Sequence, residues 1–148
     1  MGTSADLKVI LSPRITKIPE GLFAGYPGVL TTREDALNND GIVDPISLLS
    51  LRFIGQNAFL KASRINRINF ILPNNLEFGG VLGAYCNSIV FENTTNNPSF
   101  SFAEGVSVGE TEKIWGANQI TAYGISETSE AGIFIKNHFD CNDITFVE

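Results

Sequence analysis

The chain has 148 residues, 43% of them hydrophobic and 18% charged, with eleven Phe and a formal net charge of −6. Such a chain is one domain of ordinary size, able to bury a core without a metal or a disulfide, and too apolar to stay disordered. Its scattered Lys and Arg exclude a phosphate-backbone binder, which needs clustered cations. No apolar stretch approaches the ~20 residues that span a membrane.

The first residues, MGTSADLKVILSPR, carry a VIL core too short for a signal peptide, with Asp6 where a basic region would stand. Asp6 also occupies the Ser/Thr position of an N-myristoylation signal. No export or membrane address is therefore expected, and localisation stays open between the cytoplasm and a virion. LKVILSPRITKIPEG reads as two short β-type runs broken by Pro13 and ended by Pro19 and Gly21. GLFAGYPGVL reads as loop.

TTREDALNNDG predicts a short helix, with Thr32 as cap and Glu34 and Asp35 in its first turn. In IVDPISLLSLRFIGQNAFL, Asp44 as N-cap and Pro45 at the first helical position favour a short helix followed by a strand. The alternating Ile46 and Leu48 and the run LRFI suit a strand as well. From residue 64 onward the signal is β. RINRINFIL, NLEFGGVL, NSIVFEN, SFSFAEGVSV, QITAYGIS, AGIFIKN and NDITFVE are short, rich in Ile, Val, Phe and Thr, and bounded by turn residues. Residues 1–148 form a single mainly-β domain, mixed over 1–60 and strand-rich over 61–148. The expected fold is an antiparallel β-sandwich of jelly-roll type with one or two short helices. The alternative is a short solenoid of stacked coils.

That alternative rests on a near-repeat. Both cysteines lie in similar hexapeptides, CNSIVF (86–91) and CNDITF (141–146). A small residue three before Ile recurs as Ala62–Ile65, Cys86–Ile89, Ala117–Ile120 and Cys141–Ile144, more loosely as Tyr26–Val29. Spacings of 20 to 50 residues mark stacked repeats, in which Asn at equivalent turns forms an amide ladder. ITKIPEGLFAGYPGV and RFIGQNAFLKASRINRINF resemble the leucine-rich repeats of the BspA-like type. Ile54, Gly55, Ala58, Phe59, Ile65 and Ile68 match, with Ala62 in the Cys position. Ile18, Leu22, Phe23 and Val29 match more loosely. At residues 78–89 Phe78, Gly79, Cys86 and Ile89 fit, while Gly83 stands where Phe belongs. The resemblance covers about a third of the chain. It implies a protein that binds other proteins or surfaces, although members of that family are longer and exported.

No residue set calls for chemistry, and no catalytic, cofactor or metal residue is assigned. His138, the single histidine, precedes Cys141 by three; on a strand the two face opposite sides and do not meet. Two Cys and one His do not make a zinc site. Asn38, Asp40 and Gly41 keep part of a calcium-loop spacing, with Asp44 a further oxygen ligand, and NNDGIVDPISLL looks like half a dockerin repeat, but Ala36 stands in the first ligand position and Ser47 in the last. Glu77, Glu92, Glu104, Glu110 and Glu112 offer carboxylates for glycoside hydrolysis without a spacing that pairs any two. Trp115 suits a surface anchor or a core position. GGVLGAY lacks the Lys of a phosphate-cradling loop.

The sequence therefore points to a non-enzymatic structural or interaction protein. It would be a self-assembling or partner-binding β module, such as a decoration, fibre or tail subunit of a virion or phage particle. It would act as a homo-oligomer or within a larger assembly, with no nucleic acid, membrane or cofactor. A carbohydrate- or small-ligand-binding β-domain is the alternative, and a carboxylate-pair glycoside hydrolase the third reading.

Overall fold

The computed structural model describes residues 8–10, 12, 14–25, 29–31, 46–61, 67–83, 85–94 and 98–148. The strands are β1 (Lys8–Ile10), β2 (Lys17–Ile18), β3 (Val29–Thr31), β4 (Ile46–Leu48), β5 (Phe53–Ile54), β6 (Arg67–Leu72), β7 (Leu76–Phe78), β8 (Tyr85–Asn93), β9 (Phe100–Phe102) and β10 (Trp115–Tyr123). Helix α1 (Glu130–His138) follows, then β11 (Phe139–Asp140) and β12 (Ile144–Val147). A long sheet runs β4-β6-β8-β10, with β11 and β12 end to end along the far side of β10. A short sheet runs β2-β5-β7-β9, and β1 pairs with β3 separately.

Every strand pairing among the described residues is parallel. This overturns the antiparallel sandwich. Short alternating strands with polar turns look the same in either direction. Direction is set by where the next strand lands, and here consecutive strands from β4 to β10 fall in alternate sheets. Pro73-Asn74-Asn75 has the look of a hairpin loop, yet it is a corner that carries β6 of the long sheet into β7 of the short one. Each winding returns to the same sheet one step further along. Ile46, Ile68, Ile89, Ile120 and Ile144 thus stand side by side across five strands.

The two cysteine hexapeptides flank β10. Cys86 is in register with Ala117 on one side, and Ile120 with Ile144 on the other. The tetrapeptide from Ala62 to Ile65 lies outside the described residues, and Ile68, not Ile65, stands opposite Ile89. The expected helix after Asp44 is strand β4, whose Ile46 and Leu48 continue the columns of the long sheet. The expected helix over 32–41 lies outside the described residues.

AGIFIKN, read as a strand, is helical. Ser129 is its N-cap and accepts from the Gly132 N–H, Glu130 sits in the first turn, and Lys136 and His138 sit in the last. In chain order α1 falls where the next strand of the short sheet would come. Its Phe134 stacks on Phe100 at 5.0 Å and packs on Phe102 at 5.4 Å.

The core lies between the sheets. Ile18, Ile54 and Phe78 line the short sheet, and Ile68, Phe70, Ile89, Phe91, Ile120 and Ala122 the long one. Rings bind successive windings, with Phe70 on Phe91 at 5.4 Å and Phe23 on Phe59 at 6.0 Å. Trp115 reaches back across two windings to stack on Phe59 at 5.4 Å. Gly55 allows the windings to approach, since a Cβ there would lie 2.7 Å from both Glu20 Cα and the Pro19 carbonyl carbon.

Candidate interaction face

The outer surface of the long sheet is built by the same register that fills the core. One outward row runs Ile71, Glu92, Tyr123 and Val147, and the next runs Asn69, Val90, Thr121 and Thr145. Tyr123 is 45% exposed and Val147 41%. Both sit on an ordered parallel sheet, so their positions are fixed before any partner arrives.

Beside these rows the polar side chains bond along the stack. Asn118 Nδ2 donates to Asn87 Oδ1 at 3.1 Å, and Gln119 Nε2 donates to Asp143 Oδ2 at 3.2 Å. Within β6, Arg67 Nε donates to Asn69 Oδ1 at 2.8 Å. Asn87 and Asn118 thus bond across one step of the stack, but within strands β8 and β10 and not at the turns where an amide ladder was expected. At the edge of this face, where the chain turns from the long sheet into the short one, an open groove of about 710 Å³ is lined by Leu49, Arg52, Ile71, Asn75 and Glu77 among others.

The residues considered for chemistry do not converge. His138 ends α1 and is only 7% exposed, so it is neither on a strand nor half-exposed. Its Nδ1–H donates to the Glu112 carbonyl at 2.8 Å, and its ring packs on Phe102 and Phe134. Cys141 Sγ donates to the Asp143 carbonyl at 3.3 Å instead of meeting His138. Both cysteines are free: Cys86 stands in β8, in register with Ala117, and Cys141 lies between β11 and β12 on the other side of β10. Burial pushes the Cys86 thiol up to about 12, against a smaller downward pull from its backbone partner Ser88. Burial raises Cys141 as well. Neither is a ready nucleophile.

Glu77 and Glu92 lie in strands of different sheets, and Glu104, Glu110 and Glu112 in the loop between β9 and β10. Glu112 Oε1 accepts from the Gly109 N–H at 3.5 Å. Among the described residues no group of three or more His, Cys, Asp and Glu could hold a metal ion. Asn38, Asp40 and Asp44 lie outside the described residues. Trp115 is 3% exposed and belongs to the core, with its Nε1 unpartnered. It is no surface anchor.

No protein-family model matches the chain. Neither a curated protein nor a solved structure matches it.

What the sequence reading missed is Tyr123. QITAYGIS was read only as a strand; its signal was the alternation that buries Ile120 and Ala122 and turns Tyr123 outward.

Proposed function

We propose that this protein is a non-enzymatic interaction module, a rigid β building block that associates through the outer face of its long sheet. The setting that suits it is a subunit of a larger particle such as a virion. The observation that carries this reading is the row of Ile71, Glu92, Tyr123 and Val147 on a pre-ordered sheet. A rigid platform loses little conformational freedom on docking, and exposed Tyr is favoured at interface centres. Further along the same strands, the Asn118 and Gln119 amides bond from one winding to the next.

The test has two arms. Sedimentation velocity of the full chain reads self-association. Affinity capture from the producing cell, with wild type and Tyr123→Glu as baits, reads a partner. The expected result is association in either arm that Tyr123→Glu weakens by at least ~10-fold, the size of a modest hot spot. A monomer that captures nothing, or one that turns over a glycoside, overturns the reading.

Exposed Tyr123, with the Gln119 amide further along the same strand, also supports a carbohydrate-binding face. A glycan array probed with wild type and Tyr123→Ala separates the two. Glycan binding lost with the tyrosine would favour sugar over protein.

A further inference from the structure

The groove of about 710 Å³ at the corner of the stack lies between two consecutive windings, residues 49–53 and 71–77. Sites for small molecules occupy roughly 300–1,000 Å³. Two opposite charges line this one. Arg52 immediately precedes β5, and Glu77 is in β7. The Glu77 N–H donates to the Arg52 carbonyl at 2.9 Å, so the two backbones are fixed side by side.

Their side chains nevertheless form no ion pair among the described residues. Lys17 does not serve Glu77 either. It stands two strands away in the same outward row and lies over the Phe53 ring at 5.2 Å. Glu77 is half-buried, so it loses part of its water without gaining a cation. Arg52 is exposed at the mouth of the groove. Beside the two charges the lining is apolar: Leu49, itself 50% exposed, with Phe53 and Ile71.

We propose that this groove binds a small zwitterion, an α-amino acid with an apolar side chain. Its carboxylate meets the Arg52 guanidinium, and its ammonium meets the Glu77 carboxylate. Its side chain lies on Leu49, Phe53 and Ile71. The charge pattern selects the class. A simple anion is repelled by Glu77 and a simple cation by Arg52. A neutral molecule leaves both groups without an opposite charge. A zwitterion supplies one to each and adds no net charge. The guanidinium is a planar fork that suits a carboxylate, and hydrogen bonds between charged groups are the stronger kind. This goes beyond the interaction-module reading and uses a different surface, which shares only Ile71 with the outward row.

Isothermal titration calorimetry of the full chain with L-leucine and with L-phenylalanine is the test. At least one should bind with a Kd of about 1 mM or below. The amide of that amino acid lacks the carboxylate, and its N-acetyl derivative lacks the ammonium. Each should bind at least ~10-fold more weakly. Glycine, which lacks the apolar side chain, should also lose ~10-fold or more. Two variants assign the ends. Arg52→Gln should erase the preference over the amide and keep that over the N-acetyl derivative; Glu77→Gln should do the reverse. Circular dichroism establishes that both fold, and the wild-type analogue series stands without them. Binding by neither amino acid overturns the proposal. So does glycine or a derivative that binds as tightly, or folded variants with the preferences of wild type. Tyr123 lies outside the groove, so Tyr123→Glu should leave amino-acid binding unchanged. The groove and the sheet face therefore stand or fall separately.

Discussion

Gly132→Ala should destabilise this protein, although helix propensity predicts the reverse. Gly132 is the third residue of α1, and replacing an interior helical Gly by Ala ordinarily gains about 1 kcal/mol. Here a Cβ would lie 2.9 Å from the Glu127 carbonyl oxygen and closer still to that of Ser126. Neither atom is the end of a flexible side chain. The Ser126 carbonyl accepts from the Ser129 N–H at 3.1 Å and the Ser129 hydroxyl at 2.6 Å, and that hydroxyl accepts from the Gly132 N–H at 3.1 Å. Moving Ser126 away therefore strains the N-cap, worth about 1 kcal/mol. Forcing an extra methyl into packed surroundings costs about 1–3 kcal/mol more. Set against the propensity gain, the net loss is about 1–3 kcal/mol. Urea denaturation followed by circular dichroism reads it as a lower midpoint at unchanged slope. Ser129→Ala serves as the control for the cap alone. A Gly132→Ala protein as stable as wild type would refute the claim that backbone proximity outweighs propensity here.

Gly55→Ala should cost at least as much, because its Cβ would press on the Glu20 and Pro19 backbone of the preceding winding; thermal melting should show Tm lowered by several degrees. Phe91→Ala removes a fully buried ring that contacts Phe70, Phe100 and Phe139, and a loss of about 3–5 kcal/mol is expected by chemical denaturation. Above pH 9 the unfolded chain releases the Cys86 proton while the folded chain keeps it to about 12. Stability should then fall by up to ~1.4 kcal/mol per pH unit in that window, and be unaffected by this group below it. Cys86→Ala should show a shallower alkaline decline than wild type.

The parts of this fold legible in the sequence are those set by one strand at a time. RINFIL and NSIVFEN announced β6 and β8 through their alternation, and Ile120 and Ile144 of the aligned tetrapeptides stand in register. Strand direction was not legible, because it depends on which sheet receives each segment after a corner such as Pro73–Asn75. Helix α1 was hidden by its composition. Gly and two Ile in AGIFIKN weaken the helical signal, and what decides the matter is the Ser129 cap together with Phe134 landing on Phe100 and Phe102. The proposed interaction face had no motif to find, since its row is assembled from one residue per strand.

Trp115 makes the molecule hard to dismantle one layer at a time. Backbone bonding joins each level only to its immediate neighbours, and by itself would let the structure fray from an exposed terminus. The indole spans from the fourth level to the second, so stripping off the upper layers must first withdraw a large buried ring from beneath them. Loss of tryptophan emission and loss of sheet should accordingly occur together, giving a short ribbon-like structure the all-or-none melting of a globular one.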